Sequence, residues 1–247
     1  MRLTVLGSGD AFGSGGRLQP AFHIANGPDH ILLDCGVTTL IGLQRAGLAA
    51  NDVAAIYISH LHGDHFGGLP SWLLHGQHVS RRTAPLLVAG PPGIEARFVA
   101  AAEAFYPGST KTKRRFELRF VEFVLGARMA IGPAYITARE VEHPSGAPSC
   151  ALRLEFGART IAYSGDTHWV DALLPTSEAA DLFICECYGH DKAAPYHIEW
   201  TTLEAKLPLI TARRLLLTHM SSSMLAARAS ISEPRVTFAE DGMVLDI

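Results

Sequence analysis

The chain has 247 residues, 48 % of them apolar and 18 % charged, with a net charge of −3 when histidine is neutral; it can fill one α/β domain with a sizeable core. That balance excludes a global electrostatic footprint for nucleic acid or an anionic membrane. No apolar stretch approaches the ~18–20 residues of a membrane span, and "MRLTVLGSGDAFGSGG" turns to glycine too early for a leader, so a cytoplasmic location is expected.

In chain order, "RLTVLGSGDAFG" is a β run ending in a glycine-rich turn, and "AFHIAN" and "HILLDCG" are strands split by "GPDH". "TTLIGLQRAGL" has apolar residues at helical spacing. "DVAAIYISH" is a nearly continuous apolar run, the mark of a strand covered on both faces. "LPSWLLHGQHVS" reads as a helix, "PLLVAGPPG" as a strand and turn, and "IEARFVAAAEAFY" as a helix. Strands follow at "LRFVEFV", "AYITAREVE", "SCALRLEFG", "TIAYSGD" and "DLFICECY". "EWTTLEAKLPLI" is a helix and "RRLLLTH" a strand, and "RVTFAEDGMVLDI" closes the chain as a hairpin about "EDG". Two strand-rich halves with no linker predict two sheets facing each other, with helices outside, as one domain over 1–247. Cys35, Cys150, Cys185 and Cys187 sit in apolar runs that suit buried thiols. Cys185 and Cys187 share a strand face, and no second pair completes a zinc knuckle.

Residues 59–65, "SHLHGDH", hold three histidines and an aspartate. His60 and His62 are two apart after a strand, so in extended backbone both imidazoles reach one ion. Asp64 and His65 follow a glycine that permits a sharp turn, so they point at a second position. Such density suits two adjacent cations about 3.5–4 Å apart, a known hydrolytic device. One segment cannot complete two coordination spheres. His143 in "EVEHPSG", Asp166 in "AYSGDTH" and His219 in "LLLTHMS" each follow a strand and supply the remaining candidates. A carboxylate such as Asp166 can bridge both ions. Imidazole with carboxylate favours zinc, manganese or iron, and geometry rather than affinity decides among them; zinc is the first expectation. His23, His30, His75, His78, His168 and His190 carry no motif and are expected to be structural or solvated.

"HLHGDH" satisfies the H-x-H-x-D-H signature, and at these residues the sequence resembles the metallo-β-lactamase superfamily; "LDCG" and "SGDT" match further landmarks. The resemblance covers essentially the whole chain. It implies an αββα four-layer sandwich, two mixed β-sheets flanked by helices, with a dinuclear site at one edge. By position, His60, His62 and His143 look like ligands of a first metal and Asp64, His65 and His219 of a second, with Asp166 bridging. Asp34 in "LLDCG" looks like a residue that orients a ligand histidine. Gly63 stands where the superfamily's flavodiiron oxidoreductases carry glutamate, which argues against redox diiron chemistry. The "GSGDAFGSGGR" opening, Asp166 and the ending look most like the ribonuclease Z-like group, which includes tRNA 3′-processing endonucleases and a cyclic phosphodiesterase of the carbon–phosphorus lyase pathway.

Two departures narrow that likeness. Ribonuclease Z has a long tRNA-gripping arm between the ligands matching His143 and Asp166, whereas here about 22 residues separate them. The cyclic phosphodiesterase carries a cysteine-rich zinc insertion after its first glycine loop, and "GDAFGSGGRLQPAFH" has no cysteine. The matching position for a phosphate-orienting or acid histidine is His197 in "APYHIEWTTLEAK". The resemblance thus implies a two-metal phosphodiesterase acting on a small or cyclic phosphodiester through an activated hydroxide, with Asp64 and His197 catalytic. The alternatives are an ester, lactone, thioester or aryl sulfate hydrolase, and, disfavoured, a tRNA endonuclease using "KTKRR" at 111–115 with Arg81 and Arg82. The expected partner is a small-molecule substrate, with no membrane and nucleic acid disfavoured. Relatives are often homodimers, and "SWLLHGQHV" or "AEAFYPG" could supply the contact or belong to the core.

Overall fold

The computed structural model describes residues 1–192 and 194–247. Its strands are β1 (Arg2–Gly7), β2 (Ala21–Asn26), β3 (Asp29–Leu33), β4 (Val53–Tyr57), β5 (Leu86–Gly90), β6 (Leu118–Glu122) and β7 (Arg128–Ile131). They continue as β8 (Ala134–Val141), β9 (Ser149–Phe156), β10 (Arg159–Tyr163), β11 (Leu182–Glu186), β12 (Leu215–Thr218), β13 (Val236–Phe238) and β14 (Val244–Asp246). The helices are α1 (Thr39–Arg45), α2 (Gly63–Phe66), α3 (Leu69–Leu74), α4 (Ile94–Phe105), α5 (Leu173–Ser177), α6 (Trp200–Lys206) and α7 (Ser222–Ala227). A π-turn at His75–Val79 extends α3. No helix among the described residues is long and apolar enough to cross a membrane.

Two seven-stranded mixed sheets result, in the orders β14-β1-β2-β3-β4-β5-β6 and β13-β12-β11-β10-β9-β8-β7. Side-chain alternation explains why both are sandwiched. Ile31 and Leu33 of β3 enter the core between the sheets, while Leu32 packs outward with Leu43, Trp72 and Phe98 of the helices. In β11, Leu182 and Ile184 face the inter-sheet core, and Phe183 and Cys185 face Leu173, Trp200 and Leu203. Runs that read as continuously apolar are therefore buried on both faces. The arrangement is the expected four-layer αββα sandwich.

The expected closing hairpin does not form. β13 pairs parallel with β12 and β14 pairs antiparallel with β1, so the "EDG" turn carries the chain from one sheet to the other. Asp241 holds that crossing: its carboxylate accepts from the Ser8 and Leu18 backbone N–H groups at 2.9 and 2.8 Å. β7, α5 and α7 lie outside the sequence expectations. Trp72 is core, Phe105 is exposed, and Arg82 is buried with its guanidinium donating to the carbonyls of Ala50, Ala84 and Pro85, which withdraws it from any phosphate contact.

Candidate metal centre

The centre assembles from strand ends. β8 runs antiparallel to β9, and β9 to β10, while β10, β11 and β12 run parallel. The C-terminal ends of β8, β10, β11 and β12 therefore share one edge, where an α/β sheet presents its loops. His143 follows β8, Asp166 follows β10, and His219 follows β12. The other sheet supplies the segment after β4. His62 keeps extended dihedrals (φ −76°, ψ 151°), and Asp64 and His65 fall in the first turn of α2. The turn expected of Gly63 is made by the helix start itself. Gly63 has no positive φ, and a Cβ there would meet no atom within 4 Å. The glycine requirement lies at Gly36, where a Cβ would stand 2.2 Å from the Asp64 carbonyl oxygen.

Four overlapping groups of ligand-type atoms form among the described residues: two are built from the seven predicted ligands, and two include His197, one with His143 and Asp166 and one with Glu186 and His219. Ligand-type atoms of His60, His62 and His143 lie within 4.8 Å of one another, and so do those of Asp64, His65, Asp166 and His219. His143 Nε2 is 3.0 Å from His62 Nδ1. Asp166 Oδ1 is 3.2 Å from His65 Nε2, and Oδ2 is 3.2 Å from His219 Nε2. The same Oδ2 is 3.9 Å from both His60 Nε2 and His143 Nε2, so Asp166 faces both groups. His60 Nε2, His65 Nε2 and Asp166 Oδ1 are buried without a hydrogen-bond partner among the described residues. Leaving such atoms unpaired costs about 1–3 kcal/mol each. Their convergence, with imidazole and carboxylate donors together, fits divalent metal ions.

Asp34 orients this set from behind. Its Oδ2 accepts from His65 Nδ1 at 2.6 Å and from the Tyr163 hydroxyl at 2.6 Å. Ser59 donates to both carboxylate oxygens, its backbone N–H to Oδ1 at 2.7 Å and its Oγ to Oδ2 at 2.8 Å. With its proton committed, Ser59 Oγ accepts from His60 Nδ1 at 3.0 Å. Both rings are thereby fixed with Nε2 turned inward. Asp34→Ala leaves Ser59, His65 and Tyr163 donors unpaired in a fully buried site. It is expected to destabilise the fold by about 3–5 kcal/mol, read as a lower urea midpoint.

The two groups differ electrically. Burial disfavours charge on His65, but Asp166, Asp64 and Asp34 outweigh it and raise its pKa well above the ordinary value. Burial likewise opposes charge on His219, yet Asp166 and Asp64 lift its pKa to about 9. Burial pushes His143 down to about 4 and His60 well below the usual range. The imidazolium rings of His65 and His219 must lose protons before a cation takes their place. Apparent zinc affinity should therefore rise with pH towards about 9, where His219 ceases to compete; each proton displaced adds about tenfold per pH unit. Isothermal titration at several pH values, in buffers of different ionisation enthalpy, reads both affinity and proton release.

His197 lies against the same centre. Its Nδ1 is 3.1 and 3.2 Å from the Glu186 carboxylate oxygens, its ring stacks on Tyr188 at 4.8 Å, and the His143 ring is 4.9 Å away. Burial lowers its pKa, but Glu186 overcomes that and holds it above the usual imidazole value. Glu186 is fully buried at the end of β11 and also accepts from the Thr167 and Ile198 backbone N–H groups. Sequence reasoning missed Glu186 and Tyr188. The available signal was an acid inside the apolar run "DLFICECY", at a strand end that shares its edge with Asp166 and His219. A cavity of about 300 Å³ opens over the centre, walled by Phe12, Tyr188, Pro195 and His197.

The whole chain has known relatives. Residues 1–245 match the family model described as anti-Pycsar protein Apyc1. An uncharacterised Mycobacterium leprae protein is 30 % identical over 89 % of this chain and 78 % of its own length. The human short-form tRNase Z structure superposes with a TM-score of 0.80 at 28 % identity, covering 100 % of this chain and 99 % of that one. The Bacillus subtilis metallo-β-lactamase fold protein YhfI superposes with a TM-score of 0.77 at 23 % identity, over 99 % of each chain. With its sandwich and its buried histidine–aspartate centre, the chain is a metal-dependent hydrolase of the metallo-β-lactamase fold, in the ribonuclease Z-like branch, and belongs to the anti-Pycsar protein Apyc1 family.

Proposed function

We infer that the protein is a phosphodiesterase for a small or cyclic phosphodiester, working with two divalent cations, zinc first. His60, His62 and His143 would hold one ion, Asp64, His65 and His219 the other, and Asp166 would serve both. The observation that carries this reading is the carboxylate of Asp166 standing between two separate donor groups. The ions, when bound, supply an activated water and screen phosphoryl charge. Asp64 lies at the inner wall of the cavity and can accept a hydrogen bond from the attacking water. His197, charged through Glu186, can give its proton to the departing oxygen. Donors come from both sheets, which supports residues 1–247 acting as one domain.

The cavity size supports a small substrate. Between His143 and Asp166 the chain is occupied by β9, a tight turn and β10, with no projecting arm. That counts against tRNA as the substrate, although Lys111, Lys113 and Arg115 are exposed. The test is turnover of bis-(p-nitrophenyl) phosphate and small cyclic phosphodiesters by the zinc-loaded protein, beside lactone, thioester and aryl sulfate panels and a pre-tRNA. Diester turnover with the other substrates inert is expected. Lactone turnover with inert diesters would overturn the phosphodiesterase reading, and efficient salt-sensitive pre-tRNA cleavage would restore the endonuclease.

A further inference from the structure

His143 and His197 stand side by side in the site, their rings 4.9 Å apart, and one short segment holds both. His143 turns Nε2 towards His62 and Asp166, and its Nδ1 donates to the backbone carbonyl of Tyr196, 3.1 Å away. A carbonyl only accepts, so this contact selects the tautomer. The next residue along the chain is His197, whose own ring is anchored by Glu186. His60 and His65 are oriented differently, by Ser59 and Asp34 behind the sheet.

Tyr196 reaches this position in a left-handed conformation, φ +66°. Tyrosine rarely adopts it, and the cost persists where surrounding contacts require it. The segment is tied on its inner side: the His197 N–H donates to the Ala194 carbonyl at 3.2 Å, and the Ile198 N–H to Glu186 Oε2 at 3.2 Å. The Tyr196 ring is half exposed and stands beside His168. The ring is therefore not what the site uses; the carbonyl direction is.

We propose that Tyr196 is a positioning residue whose left-handed backbone sets two neighbouring rings of the centre at once, its carbonyl holding His143 ready for an ion while the same turn delivers His197. This rests on the two-cation reading above. The residue type at 196 then matters through its allowed φ and hardly through its side chain.

Zinc titration against a chromophoric chelator tests this without reference to turnover. Wild type is expected to bind two zinc ions. Tyr196→Phe and Tyr196→Gly, which keep the carbonyl and tolerate or favour positive φ, should hold both within about threefold. Tyr196→Pro cannot adopt that φ; it should weaken one zinc by roughly 10–100-fold, the range for losing such an outer partner, and leave the other in place. Its kcat on a diester should fall more than its KM rises. If folded Tyr196→Pro binds both ions with wild-type affinity, or Tyr196→Phe loses as much as Tyr196→Pro, the proposal fails. Wild type binding fewer than two ions would instead sink the two-cation reading. Long-range ¹H–¹⁵N correlation on zinc-loaded wild type needs no variant: His143 should show a protonated Nδ1 in slow exchange with water, and a bare Nδ1 would overturn the proposal.

Discussion

Asp166→Ala is expected to lower kcat on bis-(p-nitrophenyl) phosphate by at least about 10³-fold and to strip the centre of metal. Asp166 is 3 % exposed and is the carboxylate that faces both donor groups, with Oδ1 towards His65 and Oδ2 towards His219, His60 and His143. Burial works against its charge, but His219 and His65 hold its pKa well below the usual carboxylate range. Its removal takes one shared donor from both groups. It also leaves two imidazolium rings facing Asp64 alone within the second group, so an incoming cation meets less negative charge. Elemental analysis after purification should find less than one equivalent of metal. Retention of two equivalents with unchanged kcat would mean that Asp166 is not the shared donor, and the two-ion account would fall with it.

His197→Ala should cost about 10²–10⁴-fold in kcat while leaving metal content unchanged. The two readouts separate it from Asp166, because His197 sits over the centre and outside the two donor groups built from the seven predicted ligands, although it joins His143 and Asp166, and Glu186 and His219, in two further groups. The loss should depend on the leaving group. A p-nitrophenolate departs without help, so the defect should be small there and large for an alkyl or ribose oxygen. The pH sign follows from the Glu186 contact. Glu186 raises the His197 pKa, so the acid form is present below that raised value and is lost as pH rises through it. Activity on poor leaving groups should therefore fall on the alkaline side. Glu186→Gln, which removes the carboxylate charge, should move that fall to lower pH. An equal loss for both leaving groups, with an unmoved alkaline limb, would assign His197 to binding and not to proton transfer.

Much of this was legible residue by residue, for stated reasons. Apolar runs such as "DVAAIYISH" and "DLFICECY" announced strands buried on both faces, and β4 and β11 are such strands. Local signals misled where pairing is non-local. "EDG" between two short β runs reads as a hairpin, yet β13 and β14 join different sheets, because β12 and β1 each offered an unpaired edge. β7 was missed because four residues with a glycine–proline turn after them carry too little periodicity to stand out. Gly63 looked like a conformational necessity, and the necessity was at Gly36, whose close neighbour lies far along the chain.

The sequence by itself determined the inventory: a dense histidine–aspartate cluster after one strand, and further ligand-type residues at the ends of others. Ligand chemistry is a property of side-chain type, and strand-end placement is a property of local pattern, so both survive in one dimension. The resemblance gave Asp34 a role behind a candidate ligand histidine, but only the tertiary structure decided which partner stands behind which candidate ligand. Asp34 beneath His65, Glu186 beneath His197 and the Tyr196 carbonyl on His143 are contacts across 31, 11 and 53 positions. Backbone carbonyls leave no residue signature, and a buried carboxylate reveals its partner only once strand pairing has brought neighbouring strand ends and their loops to one edge.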